Sequence, residues 1–410
     1  MISSQIPDSA WIDILQGKEN YEFESLSLKI LLAKLRLKSK IKPEDEIYYL
    51  NELKLLVRVQ NGLPGMQRDI SKIFTRISDD TSKVLFTVEE TIQLIQSNKK
   101  LIIAGDELLL KQLPKGYWIA GTIPYFIGSN GGIKSKNLLH VTILPEIVEE
   151  FTIVEYDSES INQVYNDTPK NGFTVLIIPA SSPIHYSFAL NTLNYDKFAT
   201  SPVIGWISGV LLEDIGTQTA KVALGNSLKL SSDTAVAVHI QLPKSYYAEI
   251  SIINIFEQGN GDTITFSEDG FTFTNCFING TKENFAEYLN KNKIDTRLPL
   301  VAEFDGLSIN TSFQKIDKEK SIVELYAPVF KETTYKIAKP LNNYEKALNE
   351  RIRSIETNTI AFSCNCILNY LYGELEGKKT DSITCPITFG EIAYQLLNQT
   401  LAYLKIEKHL

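Results

Sequence analysis

The first group of residues that could support chemistry is a glycine-rich stretch from Gly116 to Phe126. Gly121 and Thr122 stand near its centre, with Trp118 before them and Tyr125 after them. Glycine permits tight turns and a close approach of the backbone to a ligand, while hydroxyl and aromatic side chains suit the rim of a pocket. A plain strand followed by a surface loop would have the same composition, so the sequence leaves both interpretations open.

The second group consists of three cysteines, Cys364, Cys366 and Cys385. A C-x-C pair with one further cysteine could supply three ligands to zinc, although the only histidine near them in sequence is His409. A nucleophilic Cys364 would need a neighbouring base to lower its pKa, and the sequence shows none beside it. Buried, unreactive thiols are the favoured interpretation, and we predict no metal site.

The third group places a serine and a histidine within four residues, at Ser181, Ser182 and His185. A catalytic triad would also need a carboxylate and an oxyanion site, and the chain has no G-x-S-x-G motif. We therefore expect a polar turn in which a serine or threonine caps the next element. Neither G-x-G-x-x-G in a strand–helix context nor G-x-x-x-x-G-K-[ST] is present, so no nucleotide cofactor is predicted.

The fourth group is Gly390-Glu391, followed shortly by the polar residues Asn398-Gln399-Thr400. A glutamate after a turn glycine, at the mouth of a strand, can present its carboxylate to the amine or cation of a ligand. A turn glycine next to a solvated acid is the alternative interpretation.

Composition excludes several classes of function. The 410-residue chain carries a net charge of −8, which disfavours a nucleic-acid partner. The N-terminus has no export signal, and no apolar run reaches the roughly 18 residues of a membrane span. With only four cysteines, a disulfide-stapled secreted domain is not indicated. We predict a cytoplasmic protein.

The elements that must position these groups change along the chain. Residues 1–80 read as a small bundle of three helices suited to docking a partner, and a polar segment at 79–83 marks its end. Thr87-x-x-Glu90 predicts the capping box of a further helix. Between about 100 and 280, strands outnumber helices, so a doubly wound parallel sheet is disfavoured. Helices are predicted at 283–291 and 340–354, and strands at 359–364 and 392–405.

These patterns predict an α+β fold, in which the N-terminal helical bundle is followed by mixed or antiparallel sheets with helices on their outer faces. The predicted domains are 1–80, 81–280 and 281–410.

The C-terminal pattern resembles the FIST C-terminal domain: a cysteine near a strand end (Cys364), then Gly390-Glu391-Ile392, then Asn398-Gln399-Thr400 before the last strand. Trp118 to Thr122 resembles the N-terminal FIST strand that ends in Gly-x-Ser/Thr, and the likeness covers about residues 84–410. It implies two FIST-like halves that sense a small ligand such as an amino acid. The implied ligand-binding residues are Trp118, Gly121, Thr122, Tyr125, Cys364, Gly390 and Glu391.

Three hypotheses for the function follow. A sensory module would bind a small metabolite in a cavity shared by the turns at Gly121 and Gly390, and its N-terminal helices would pass the state to a partner. A non-catalytic scaffold would dock through residues 1–78. An enzyme of unrecognised type would use Cys364 or Glu391 together with Thr122.

Overall fold

The computed structural model describes residues 83–198, 200–304, 307–353, 355, 357, 359–380 and 383–409. The contacts within the chain divide it after Lys83, and residues 84–410 form one compact unit. The predicted helical bundle at 1–80, and its predicted use in docking, lie outside the described residues.

The helices of the described residues are short, and the longest has ten residues. They are α1 (Val88–Gln96), α2 (Glu107–Leu110), α3 (Val164–Asp167), α4 (Pro183–Asn191), α5 (Phe285–Lys291), α6 (Tyr344–Arg353) and α7 (Ile367–Tyr372).

Strands dominate the unit. The first are β1 (Leu85–Phe86), β2 (Leu101–Gly105), β3 (Trp118–Thr122), β4 (Tyr125–Gly128), β5 (Gly131–Lys134), β6 (Leu139–Ile143), β7 (Glu150–Tyr156), β8 (Gly172–Pro179), β9 (Val203–Ser208), β10 (Val222–Leu224), β11 (Lys229–Ser231), β12 (Ala235–Gln241) and β13 (Tyr246–Asn254). The others are β14 (Ile264–Thr265), β15 (Gly270–Phe273), β16 (Asn275–Ile278), β17 (Thr281–Asn284), β18 (Leu300–Phe304), β19 (Leu307–Thr311), β20 (Phe313–Asp317), β21 (Ile322–Val329), β22 (Tyr335–Ile337), β23 (Ile360–Cys366), β24 (Cys385–Thr388), β25 (Glu391–Ala393), β26 (Gln395–Leu397) and β27 (Thr400–Lys408).

These strands form four six-stranded sheets and one three-stranded sheet. The orders are β1-β6-β2-β3-β10-β11 (sheet I), β26-β25-β9-β8-β12-β7 (sheet II), β13-β27-β23-β24-β4-β5 (sheet III), β17-β16-β14-β22-β18-β19 (sheet IV) and β15-β21-β20 (sheet V). Sheets I to III each contain one parallel pair, β2 with β3, β8 with β9 and β23 with β24, among antiparallel neighbours. The predicted mixed α+β class with several sheets and few helices is therefore confirmed.

The sheets cross the predicted boundary at residue 280. Strand β9 pairs with β25 in sheet II, and in sheet III β13 pairs with β27 and β4 with β24. Sheets IV and V also combine strands from both segments, through β14 with β22, β16 with β17 and β15 with β21, so residues 81–280 and 281–410 share four of the five sheets. The two β-rich segments that the sequence suggested are thus interleaved.

Local sequence signals explain where two helices begin. The Thr87 hydroxyl accepts from Glu90 N at 3.3 Å, and the Glu90 carboxylate accepts from Thr87 N at 3.0 Å, which confirms the predicted capping box of α1. At α4, Ser182 Oγ accepts from His185 N at 3.2 Å, and Pro183 occupies the first turn. The serine–histidine pair is therefore a helix cap, as the turn interpretation expected.

The prediction of one strand over 392–405 is wrong. The chain instead makes the hairpin β25–β26 and then enters β27. Tyr394, with φ of +62°, stands between the two hairpin strands, and Gln399, with φ of +50°, stands just before β27. Both residues are in the left-handed region that non-glycine residues seldom adopt, so alternation of residue type could not reveal these turns.

The largest core cluster joins sheets I, II and III through residues such as Ile119, Trp206 and Phe362. A separate cluster fills the space between sheets IV and V and α5, with Phe266, Phe285 and Tyr335 at its centre. The unit therefore has at least two separate hydrophobic cores, one shared by sheets I to III and one between sheets IV and V and α5.

Candidate functional site

The glycine-rich stretch folds into the central strand β3, and its aromatic residue is part of the core. Trp118 is 1% exposed, and its indole nitrogen donates to Pro114 O at 2.8 Å. A Cβ on Gly121 would lie 2.7 Å from Ile177 Cγ2 and 3.0 Å from Trp206 Nε1. Gly121 is required because sheet II packs directly on sheet I at this point, and the contact leaves no room for a ligand.

Thr122 and Tyr125 form structural hydrogen bonds. Thr122 Oγ1 accepts from Lys221 N at 2.8 Å, and the Thr122 carbonyl accepts from Gly209 N at 2.7 Å. The Tyr125 hydroxyl accepts from Leu212 N at 3.1 Å. The crevice beside Thr122 has a volume of about 10 Å³, which is room for about one water molecule.

Glu391 is a fully buried carboxyl group at the start of β25. Its Oε2 atom accepts from Thr400 Oγ1 at 2.8 Å and from Thr400 N at 3.3 Å. Burial raises the pKa of Glu391 to about 8, and the hydrogen bonds from Thr400 offset only part of that effect. The side chain is therefore largely uncharged at neutral pH and is closed off from solvent.

Cys364 lies beside this carboxyl group and is equally buried. Its thiol donates to Gly205 O at 3.1 Å, and burial, together with Glu391, raises the pKa of Cys364 well above its usual range. Burial has the same effect on the pKa of Cys366 and of Cys385. The thiols are held protonated, which makes them poor nucleophiles and poor metal ligands. Among the described residues, no group of three or more His, Cys, Asp or Glu side chains is arranged to hold a metal ion.

The two predicted turns approach the same strand, β9. Gly390 O accepts from Ile207 N at 2.8 Å, while Gly121 lies against Trp206 and Ser208. We call this meeting point the β9 junction: residues 121, 122, 205–209 and 389–391. The Phe389 ring fills the space over Gly209, where an added Cβ would lie 2.5 Å from it. The expected convergence is present, but side chains occupy the place predicted for the shared cavity.

The residues Asn398-Gln399-Thr400 belong to a buried polar network. Ser312 Oγ donates to Gln399 Oε1 at 2.7 Å, and Asn310 Nδ2 donates to the Asn398 carbonyl at 3.2 Å. Asn310 also exchanges a reciprocal pair of amide hydrogen bonds with Asn254, at 2.9 and 3.0 Å. The network joins the start of β27 to β19 and β13, and it forms the polar boundary of a cavity.

That cavity has a volume of about 770 Å³. It lies where the outermost strands of three sheets meet: β26 of sheet II, β13 of sheet III and β19 of sheet IV. The lining residues are Ala189, Leu193, Phe198, residues 250–252, Ala302, residues 309–311, Ala327, Pro328, Phe330, Tyr335 and residues 393–397. Voids in protein interiors are seldom larger than a water molecule, so a space of this size is a binding-site candidate.

The mouth and the interior of the cavity differ in exposure. Leu193 is 43% exposed, whereas Asn310, Tyr335 and Leu397 are each 2% exposed or less. Because Leu193 both lines the cavity and is exposed, the lining reaches solvent at this residue. The cavity thus leads from the end of α4 to the buried polar network.

None of the seven predicted ligand-binding residues, Trp118, Gly121, Thr122, Tyr125, Cys364, Gly390 and Glu391, lines this cavity. The nearest in sequence is Glu391, two residues before the lining residue Ala393. Sequence reasoning missed the lining because it consists mainly of ordinary apolar residues from distant segments. The one local signal was Tyr394, a bulky residue at a hairpin tip with positive φ, and that signal is visible only in the structure.

No helix among the described residues is long and apolar enough to cross a membrane. A model of a protein family described as a family of unknown function (DUF6976) matches residues 86–407. None of the curated proteins matches the chain.

Proposed function

We propose a function for this chain, which belongs to the DUF6976 family of unknown function, on the basis of its cavity. Residues 84–410 bind a small molecule between sheets II, III and IV. The protein senses the presence of this molecule by binding it. The observation that carries the proposal is the size and position of the cavity, about 770 Å³ at the meeting point of three sheet edges.

Two further observations support binding over turnover. The groups that could act as nucleophile or base, Cys364 and Glu391, are fully buried and lie outside the cavity lining. Catalysis requires such groups within hydrogen-bond reach of the substrate. The resemblance to FIST domains, which are sensory, agrees with this proposal. The ligand position differs from the one expected, because the β9 junction is packed.

The cavity joins segments that are distant in the chain, which suits a sensor. Its lining includes α4, β13, β19, β21 and the β25–β26 hairpin, so one ligand would contact elements of four sheets at once. A ligand that binds only the folded unit stabilises it by an amount that grows with the logarithm of the free ligand concentration above its Kd. The ligand could thus change the mobility of the sheet edges without any chemical step.

A titration with the uncharged apolar dye N-phenyl-1-naphthylamine tests the proposal. We expect its fluorescence to rise and saturate at one dye per chain. Ala327→Leu and Ala393→Leu each add volume to the lining, so each should weaken dye binding by about tenfold or more. Gly261→Ala is the matched control, because a Cβ there meets no atom within 4 Å.

Hydrogen exchange provides a second measurement that does not depend on the dye signal. With the dye bound, amides at 250–252 and 393–397 should exchange more slowly, because these residues line the cavity. Dye binding that is unchanged in both leucine variants, or protection located elsewhere in the unit, would contradict the proposal.

A further inference from the structure

The chemical class of the ligand follows from the charges that the cavity lacks. No lysine, arginine, histidine, aspartate or glutamate is among the described residues that line it. Moving an ionised group from water into such surroundings costs several kcal/mol unless a partner charge or several hydrogen bonds replace its hydration. An amino acid, which carries two charges at neutral pH, would find no partner for either.

Apart from Tyr335 and Tyr394, the polar side chains of the lining fall into two sets. Asn310 is fully engaged with Asn254 and with the carbonyls of Asn398 and Gln399, and Thr311 Oγ1 donates to Pro328 O at 3.4 Å. In contrast, the Ser251 hydroxyl and the Gln395 amide are half-buried, and neither side chain is hydrogen-bonded to another described residue. The groups that remain available to a ligand are therefore neutral donors and acceptors.

The surroundings of Tyr394 offer no attraction to an anion either. Tyr394 lines the cavity, and burial, followed by the nearby Glu249 carboxylate, raises the pKa of its hydroxyl. Glu249 is exposed on β13, next to the lining residue Ile250. An anionic ligand would thus find no positively charged side chain among the described residues that line the cavity.

We propose that the ligand is an uncharged molecule, mainly an apolar chain or ring system, with a neutral hydrogen-bonding group such as a hydroxyl or amide. Its apolar part fills the space between α4, β19 and β21. Its polar group bonds to Ser251 or Gln395, which stand on the facing edge strands β13 and β26. This inference rests on the proposed function and excludes the amino-acid ligands that the FIST resemblance implied.

Calorimetric titration of the full chain with octan-1-ol, octanoate and L-leucine tests the class at pH 7.5. The first two have the same chain length and differ in charge. We expect octan-1-ol to bind at least about tenfold more tightly than octanoate and L-leucine to show no binding, because the lining cannot replace the hydration of an ion. Tighter binding of octanoate or L-leucine than of octan-1-ol would overturn the class and leave a small-molecule site in place. Absence of binding by all three, together with no saturable dye binding, would instead overturn the proposed function.

A charge-introducing variant gives a test that loss of folding cannot imitate. Gln395→Lys places a cation in the lining, so it should reverse the preference and make octanoate the tighter ligand. Gln96→Lys, the same substitution at an exposed position of α1, is the control and should leave the preference for octan-1-ol unchanged. If Gln395→Lys and Ser251→Lys both retain the wild-type order of affinities while folding normally, the polar end of the ligand lies at neither residue and the inference is wrong.

Discussion

Sheets pack closely at the β9 junction and enclose open space at the cavity, although both regions belong to one unit. At the junction, Gly121, Gly205 and Gly209 let backbones and large side chains approach so closely that no space remains. At the cavity, three edge strands meet without interdigitating, and about 770 Å³ stays open. The glycine-rich motif and Glu391 belong to the closed region, whereas the open region is lined mainly by ordinary apolar residues and bounded by the polar network of Asn310 and Gln399.

This difference shows what the conspicuous residues of the sequence are for. Glu391, Thr400 and Asn398 are polar because buried backbone and side-chain groups must bond to one another at the start of β27. Gly121 is there because sheets I and II pack at short distance, and Gly205 because the backbones of β8 and β9 approach closely within sheet II. A motif of this kind is as compatible with close packing as with ligand contact, and here it serves packing.

The largest expected effect is at the centre of the junction. In Gly205→Ala the new Cβ would lie 1.7 Å from Leu176 O, in the strand paired with β9, so β8 and β9 must separate. We expect a loss of more than about 4 kcal/mol in the free energy of unfolding, or no folded protein, by urea denaturation. Gly261→Ala, with no atom within 4 Å of its Cβ, should change stability by less than about 0.5 kcal/mol. Equal stability of the two variants would show that the junction is not closely packed.

A second substitution tests whether the contact between sheets I and II is as tight as that within sheet II. Gly121→Ala brings a methyl group to 2.7 Å from Ile177 Cγ2, the end of a side chain that can shift. We expect a loss of about 1–3 kcal/mol, less than at Gly205. Urea denaturation of both variants in one buffer measures the difference. If Gly121→Ala leaves the free energy of unfolding unchanged, the junction has free space and is again a candidate ligand site.

The buried carboxyl of the junction makes stability depend on pH. Because the pKa of Glu391 is raised to about 8 on folding, the folded state binds a proton that the unfolded chain releases near its ordinary value of 4.5. The wild type should therefore lose stability relative to Glu391→Gln as pH rises from about 4.5 to about 8, by no more than about 1.4 kcal/mol per pH unit. Above about pH 8 the difference should level off.

Melting temperatures of the wild type and Glu391→Gln, measured from pH 5 to pH 9, test this expectation. A difference that stays constant across the range, or a wild type that loses stability relative to Glu391→Gln as the pH falls, would mean that the carboxyl is ionised in the folded protein. In that case Glu391 would again be a candidate for the catalytic carboxylate of the enzyme hypothesis.

The smallest expected effect is in the cavity. Ala327→Leu adds three carbons to a lining with free space, so we expect a change in stability within about 1 kcal/mol, in either direction. The same increase in size at the junction would be far more costly. If Ala327→Leu destabilises the protein more than Gly121→Ala does, then the cavity is smaller in solution than in this structure, and the contrast between the two regions fails.

Much of the local structure could be read from residue types. The capping box at Thr87 and Glu90 predicts the start of α1, and the runs of β-branched residues predict β2, β8, β9 and β12, with shifted ends. The chain around Ile392 to Lys405 could not be read in this way. Its turns depend on Tyr394 and Gln399 adopting a left-handed conformation, which surrounding contacts impose and residue type does not favour.

The candidate site was less predictable than the fold. Cys364, Glu391 and the two glycine turns lie near one another, because each lies next to β9 or its partner strand. Their neighbourhood was wrongly expected to be hollow. Whether a set of residues encloses space depends on the volumes of side chains from other segments, here Trp206 and Phe389, and no local pattern reports those volumes.

The sequence by itself determined the class of this protein, its many short strands, and the positions where glycine or a polar group must be buried. Those properties depend on the conformational freedom of the backbone and on the hydrophobicity of the side chains. Both are set by residue type and can therefore be read from the sequence. Only the tertiary structure decided that the strands of residues 81–280 and 281–410 interleave and that an uncharged cavity opens where β13, β19 and β26 meet. Empty space is a property of how surfaces fit together, so no single segment encodes it.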